Sequence, residues 1–300
     1  MEREIVEGAF RNIPTEQILS IATTLRDRAN GRPLPAMAKG NGQFVTQADI
    51  GIQREVLRYF AGTELAGTYV VKAEEQLDSD CVPPKSSDAR YQLLVDPLDG
   101  TDSYCRGESS WGTMIGLADS DGRLVYSWNM ISEGEVYSSA NARPTFLPSF
   151  ARRLESADSL RVDVYDYGAG SVSQFARRLA ALSGGTIDES KVRVSSAPAA
   201  VTAGWQLATR ELDGLLWLPS EKGKCSYPDY DLVFLGALVE RGWHVTLGKN
   251  SGCVLMVIVA PTAEDLELLK ATGLAMIAEE QRSCLQFDSG LQITQPNQRA

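Results

Sequence analysis

The sequence predicts a layered α/β protein in two lobes, an N-terminal α+β lobe over residues 1–150 and a C-terminal α/β lobe over residues 151–300. Three observations carry the prediction. From residue 160 onward, apolar strand-like runs alternate with helical periods, the pattern of an α/β unit. Between residues 91 and 139, short apolar runs succeed one another without a helical period. Residues 141–156 carry two prolines, mixed polarity and no period, and read as the connection between the lobes.

Taken in order, residues 15 to about 30 form a helix, because Ile18, Ile21, Ala22 and Leu25 follow i, i+3, i+4, i+7 spacing and Gly31 stops it. Pro33 and Pro35 continue a loop, and residues 39–43 are Gly-rich and polar. A second helix spans about 48–60, with Val56, Leu57 and Phe60 on its buried side. Residues 68–72 make a short β-branched strand that ends at Glu74-Glu75. A polar Pro/Ser loop covers 79–90, and 91–95 is a strand. Further strands are expected at 113–117, 124–130 and 135–139, with Gly122 marking a turn. In the second half the strands are 160–165, 191–195, 215–218, 243–247 and 254–259. The helices are 172–182, closed by Gly184-Gly185, then 199–209, then 231–240, ended by Gly242. Thr262-Ala263-Glu264-Asp265 has the shape of a capping box opening another helix. The tail after Gln286 is polar and expected to fray.

Bulk properties exclude several classes. A formal net charge of −10 argues against a nucleic-acid or anionic-membrane surface. No apolar run reaches membrane-spanning length, and Met1-Glu2-Arg3-Glu4 lacks a signal-peptide core, so cytoplasmic residence is expected. Five cysteines, at 81, 105, 225, 253 and 284, include no Cys-x-x-Cys pair, which disfavours a disulfide framework or a zinc site. The single histidine, His244, leaves no material for a multi-His metal site and reads as structural. Apolar residues make up 43% of the chain, enough for a substantial core.

The most informative stretch is Asp96-Pro97-Leu98-Asp99-Gly100-Thr101. It follows the buried strand Leu93-Leu94-Val95. Pro97 is expected to block further strand pairing and Gly100 to permit a turn. Such a turn gathers two carboxylates, which attract a hard cation, and bare backbone N–H groups, which attract an anion such as phosphate.

This hexapeptide resembles the signature of the inositol monophosphatase-like superfamily, whose members are Mg²⁺-dependent, often Li⁺-sensitive phosphomonoesterases related to fructose-1,6-bisphosphatase. Three further segments match in order and rough spacing: Glu74-Glu75, Thr46-Gln47-Ala48-Asp49, and Tyr230-Asp231 with Gly236 five residues later. The resemblance runs from about residue 39 to 242 and is strongest over 74–117. It implies a layered α-β-α-β-α sandwich of the sugar phosphatase type and a homodimer. It implies two or three Mg²⁺ ions, with Mn²⁺ as a substitute. Glu74 and Asp96 would hold the first, with the Leu98 carbonyl. Asp96, Asp99 and Asp231 would hold the second, and Asp49 would help hold a weaker third. Glu74 and Thr101 would orient the attacking water, and the N–H groups of Gly100 and Thr101 would bind the phosphate. Glu75 supports the site. In physical terms, Mg²⁺ prefers octahedral oxygen coordination at ~2.0–2.1 Å. Ions spaced ~4 Å apart activate a water and neutralise the leaving oxygen.

Several positions depart from the pattern. Tyr230 replaces the commoner Trp, and Asp229 competes with Asp231, which is preferred because Gly236 keeps its spacing. Asp102-Ser103-Tyr104 adds a carboxylate after Thr101, and Asn141-Ala142-Arg143 lacks the usual glycine. A carboxylate that inositol-selective members use to grip hydroxyls aligns loosely with Trp217, which weakens inositol monophosphate as substrate. Lys222 and Lys224, in an apparent insertion over 219–228, are either contacts for a second anionic group or an exposed basic loop. Gly168-Ala169-Gly170-Ser171 falls short of a dinucleotide motif, because position 173 is Ser.

The expected function is Mg²⁺-dependent hydrolysis of a small phosphorylated metabolite, an inositol or sugar phosphate or a 3′-phosphonucleotide. The alternative is a catalytically weak member that binds phosphometabolites for regulation.

Overall fold

Nine consecutive residues, Tyr91–Asp99, form an interior strand of the first of two packed sheets, and Leu93, Leu94 and Val95 within it are fully buried. A strand covered on both faces needs helices on each side, and the rest of the chain supplies them. The computed structural model describes residues 2–29, 34–38, 44–77, 89–143, 147–165, 172–219, 227–288 and 291.

In chain order the first half comprises α1 (Glu2–Arg11), α2 (Thr15–Ala29), β1 (Met37–Ala38), β2 (Phe44–Val45), α3 (Gln47–Ala61), β3 (Tyr69–Ala73), β4 (Tyr91–Asp99), α4 (Thr101–Cys105), β5 (Gly112–Asp119), β6 (Leu124–Ile131) and β7 (Val136–Ser138). The second half comprises α5 (Phe150–Ser156), β8 (Leu160–Tyr165), α6 (Val172–Leu182), β9 (Val192–Ser195), α7 (Ala200–Ala208), β10 (Gly214–Trp217), α8 (Phe234–Val239), β11 (His244–Asn250), β12 (Cys253–Ala260), α9 (Ala263–Met276), α10 (Glu279–Cys284) and β13 (Gln286–Asp288). The first sheet has the order β3-β4-β5-β6-β7 and the second β13-β11-β12-β10-β8-β9; β1 and β2 pair by themselves. Parallel pairing joins β3 to β4, β8 to β9 and β8 to β10, and the other pairs are antiparallel.

Strand alternation distributes the side chains among three apolar clusters. Leu93 and Val95 pack with Phe10, Ile18, Ile52 and Phe60 of α1–α3. Leu94 points the other way, into a middle layer built from α7 and α8 that also receives Leu215 and Trp217 of β10 and Val257 and Val259 of β12. Leu216 and Ile258 turn to the far side of the second sheet, against Phe175 of α6 and Leu269 of α9. The result is the α-β-α-β-α layering that the sequence reading expects, with both sheets sharing one helical layer. Gly236 explains how close that layer sits. A Cβ there would meet Leu124 Cδ2 at 2.8 Å and Ser127 Oγ at 3.0 Å, so only glycine lets α8 rest on β6. Among the described residues no helix is long and apolar enough to cross a membrane.

The structure corrects the sequence reading at several places. Strand β4 does not end before Pro97 but runs through it, because the pairing with β5 slips in register between Asp96 and Asp99 and so needs no N–H at Pro97. The connection over 141–156 contains α5, whose N-cap Ser149 accepts a hydrogen bond from the Arg152 N–H. The helix expected over 231–240 is a 3₁₀ turn, Asp229–Leu232, followed by α8. Helix α1 was not anticipated, although Val6, Ala9 and Phe10 have helical spacing and are buried. Of the tail expected to fray, Phe287 and Asp288 belong to β13, where Phe287 pairs with Gly248 at the sheet edge, and residues 289–290 and 292–300 lie outside the described residues. Thr262 is the N-cap of α9 as expected, and its hydroxyl accepts from the Asp265 N–H and donates to the Asp265 carboxylate. The Gly168 motif, Lys222, Lys224, Cys81 and Cys225 lie outside the described residues; Cys105, Cys253 and Cys284 are free thiols.

Phe234, fully buried in the shared layer, tests the packing. Phe234→Ala is expected to cost about 3–5 kcal/mol in urea unfolding. Val125→Ala, at a residue 45% exposed, should stay within about 0.5 kcal/mol of the parent.

Candidate active site

In a regular strand, residues three apart point to opposite faces, so Asp96 and Asp99 would be separated by the sheet. The register of β4 prevents this. Asp96 pairs with Met114 and Asp99 with Gly112, three steps on one strand against two on the other. This one-residue bulge returns Asp99 to the face that carries Asp96. Its backbone groups are accounted for. Leu98 N–H donates to Asp96 Oδ1 at 3.1 Å, Thr113 Oγ1 donates to the Pro97 carbonyl at 2.8 Å, and Thr101 Oγ1 donates to the Leu98 carbonyl at 2.9 Å. Gly100 then turns the chain at φ +82°, where a Cβ would lie 2.4 Å from the Ser110 carbonyl oxygen and 2.9 Å from Ala199 Cβ. Helix α4 starts at Thr101.

The other carboxylates arrive from neighbouring elements. Glu74 follows β3, and its N–H continues the parallel ladder to the Val95 carbonyl at 3.0 Å. The amide of Gln53 on α3 clamps the next peptide, accepting from Glu75 N–H at 3.1 Å and donating to the Glu75 carbonyl at 2.7 Å. Glu75 itself is buried. Asp231 lies in the 3₁₀ turn Asp229–Leu232, between the sheets. Asp229, its competitor, is ion-paired with Lys72 of β3. Glu74, Asp96, Asp99 and Asp231 line one cavity of about 320 Å³, together with Leu98, Gly100, Thr101 and Asp102. Asp229 and His244 are not among its lining residues.

Asp49 stands one step back from the cavity lining. Its fully buried carboxylate closes a capping box at the start of α3, accepting from Thr46 N–H at 2.7 Å and Thr46 Oγ1 at 2.6 Å. Thr101 Oγ1 lies 3.2 Å from its other oxygen. Asp49 therefore sits behind Thr101 rather than in the cavity wall.

The electrostatics are those of crowded, mutually repelling carboxylates. Asp96 is held well above the usual carboxylate range by burial and by the charges of Glu74, Asp99 and Asp231. Asp99 is pushed up to about 7, chiefly by burial, against hydrogen bonds that favour its anion. One of those bonds comes from the Val201 N–H, at 2.6 Å. That group belongs to the first turn of α7, whose own N-cap, Ala199, offers no side-chain acceptor. Asp99 thus caps a helix from another part of the chain. Burial and Glu74 also raise Asp49. Two like charges 4 Å apart repel by roughly 4 kcal/mol at an effective dielectric near 20, so four carboxylates on one cavity favour a bound dication. Among the described residues no three such groups close into a coordination sphere; the carboxylates ring the cavity instead. As a donor set, four carboxylates and a backbone carbonyl suit a hard ion such as Mg²⁺.

The opposite wall was not foreseen beyond Trp217. It consists of Tyr165, Trp217 and Tyr227, with Ala197 and Pro198, and Phe44 of β2 on the lining as well. Behind it, Trp217 Nε1 donates to Asp163 Oδ2 at 3.1 Å. Asp163 on β8 had no sequence signal, because a single acidic residue in a strand looks like any exposed alternation.

Comparison with known proteins places this geometry. The model of the inositol monophosphatase family matches residues 10–208. A protein of Streptomyces griseus named glucose-1-phosphate thymidylyltransferase is 26% identical over 146 residues, 49% of this chain and 54% of that protein, so the chain spans about half the length of that curated relative. An IMPase of Thermotoga maritima superposes with a TM-score of 0.63 at 14% identity, covering 92% of this chain and all of that one. An IMPase/NADP phosphatase solved with Mg²⁺ and phosphate superposes with a TM-score of 0.60 at 12% identity, covering 85% and 90%. At these identities the superpositions show the fold.

The raised carboxyls fix a sign. Each binds its proton more tightly when folded, so protonation stabilises the fold fully below the ordinary value near 4. That contribution is lost as pH rises through the folded value, about 7 for Asp99. The melting temperature of metal-free protein should therefore fall between pH 5 and 7, and Mg²⁺ at pH 7 should restore it. A metal-free melting temperature that climbs over this interval would contradict the assignment.

Proposed function

The chain belongs to the inositol monophosphatase family, and on that premise we propose that this phosphatase removes phosphate from a small phosphorylated metabolite with Mg²⁺ as its cofactor. One observation carries the reading: Glu74, Asp96, Asp99 and Asp231, from three separate segments, ring a single cavity whose floor is Gly100-Thr101. Four carboxylates on one cavity, Asp96 buried and the other three half-buried, seldom have a structural purpose, since they repel and cost desolvation. The match of the family model and the Mg²⁺ and phosphate in one solved relative support it.

Glu74 and Asp96, with the Leu98 carbonyl, would hold one ion; Asp96, Asp99 and Asp231 would hold a second. Any third would draw on Asp49 through Thr101 or water, since Asp49 lies behind the wall. Bound there, Mg²⁺ supplies neutralising charge for the phosphoryl oxygens and the leaving alcohol and makes water a better nucleophile.

The chain's own groups do the positioning. Thr101 donates its hydroxyl proton to the Leu98 carbonyl, with Asp49 next to it, and so keeps its lone pairs toward the cavity. Those lone pairs accept a hydrogen bond from the attacking water, and Glu74 accepts a second. The water oxygen bonds to phosphorus as the bond to the alcohol oxygen breaks, with no covalent enzyme intermediate. The N–H groups of Gly100 and Thr101 at the start of α4 are proposed to bind the phosphate. Holding water and ester in line converts a bimolecular step into an effectively unimolecular one.

The site is assembled within one chain. Homodimerisation and cytoplasmic residence remain part of the proposal, drawn from the family resemblance and from the charge and composition.

Phosphate release from a panel of inositol phosphates, fructose-1,6-bisphosphate, 3′-phosphoadenosine 5′-phosphate and histidinol phosphate tests the reading. Release should require Mg²⁺, stop on chelation and return with Mg²⁺ or Mn²⁺. Asp96→Asn should lower turnover by at least about 10²-fold with an unchanged circular-dichroism spectrum. Near-normal turnover in that variant would remove the site assignment.

A further inference from the structure

The wall facing the carboxylates has a composition of its own. Trp217 lies 5.1 Å from Tyr227 and 6.4 Å from Tyr165, centroid to centroid, and all three rings line the cavity. Tyr227 is fixed by its hydroxyl, which donates to the Leu218 carbonyl at 2.9 Å. Asp163 stands fully buried behind the indole. One of its oxygens accepts from Trp217 Nε1 at 3.1 Å. The other accepts from Ala197 N–H at 2.6 Å, with Ser195 Oγ at 3.5 Å. No cation is among the groups that act on this carboxylate. Asp102 lines the cavity too, and no lysine or arginine does among the described residues.

These facts combine in one direction. An indole N–H that donates to a carboxylate shifts electron density into the ring, and the face of an aromatic ring is already the negative end of its quadrupole. Three such rings beside an exposed aspartate and a buried one make a surface complementary to a positive charge, the arrangement that recognises ammonium groups. It suits the hydroxyls of a neutral polyol poorly, because ring faces offer them no lone pairs, the Tyr227 hydroxyl proton is given to Leu218 and Asp163 is fully engaged.

The geometry points to a binding site for a cationic group on the alcohol portion of the substrate: the phosphoester is that of an amino-alcohol or amino-sugar, its phosphate at the carboxylate-bound metal and its ammonium against Tyr165, Trp217 and Tyr227. This rests on the phosphatase reading above and deepens it. Trp217 touches the substrate; Asp163 is a positioning residue that acts through the indole.

The test compares glucosamine 6-phosphate with glucose 6-phosphate, which differ by one amino group, on the Mg²⁺-loaded protein. The amino ester is expected to be preferred by about tenfold in kcat/KM. Trp217→Leu and the isosteric Asp163→Asn should each bring the ratio close to one, while Trp217→Phe, which keeps a ring, should retain part of it. A role confined to folding would lower both rates and leave the ratio as it was. Equal rates for the two esters in the parent, or a ratio unmoved in Trp217→Leu and Asp163→Asn, would overturn the inference and leave the phosphatase reading standing. If neither ester is hydrolysed, binding of choline measured by saturation-transfer NMR decides. Binding to the parent and its loss in Trp217→Leu support the cation site independently of turnover, and no binding to the parent overturns it.

Discussion

Between Asp96 and Asp99 strand β4 uses three residues where β5 uses two, and the surroundings of the cleft follow from that extra residue. Without it the two carboxylates would sit on opposite faces of the first sheet, one in the outer helical layer among Phe60 and Ile52, the other toward the second sheet. With it both face the middle layer, and Leu98 returns to the outer core with Leu93 and Val95. Proline is suited to the bulge, because the ladder there asks for no N–H. Thr113 and Thr101 take the two carbonyls that the slip leaves unpaired. The bulge is therefore a satisfied structure rather than a defect.

Asp99 also joins the two halves. Its carboxylate accepts from the first turn of α7, and α7 belongs to the layer on which both sheets pack. A residue that would hold metal thus also caps the helix connecting the sheets, so the geometry of the cleft and the spacing of the layers are set together. The cost is electrostatic. Burial and mutual repulsion raise Asp96 and Asp99, and the fold tolerates this because large apolar clusters lie on either side. Bound cations would relieve the repulsion, and stability and the proposed activity would then depend on the same ions.

The cleft has two unlike walls. One offers oxygen donors and backbone N–H groups and is suited to a phosphate on metal; the other offers aromatic rings backed by Asp163. The first wall fits the chemistry proposed for this site, while the second is the one on which the proposed selection of a cationic group rests. Asp102 and Trp217, read from the sequence as departures, line the same cavity. Asp102 adds a negative charge to the lining and Trp217 an indole.

Much of this was legible in the residues. Periodicity located most helices and strands, because burial on one face imposes a pattern that survives in a single sequence. The hexapeptide, Glu74 and Asp231 were recognisable because they match a family pattern in residue type, order and rough spacing. The sequence by itself determined the layered α/β class, the segments that carry the carboxylates and the acidity of the site. Tertiary structure alone decided that Pro97 lies within a bulged strand, since register is settled by the partner strand. It separated Asp229, paired with Lys72 from a distant strand, from Asp231 on the cavity wall. It placed Asp49 behind Thr101, and Asp163 behind Trp217. Each of these depends on contacts between residues far apart in the chain, and no local pattern of hydrophobicity or turn chemistry encodes which distant partner a polar side chain will meet.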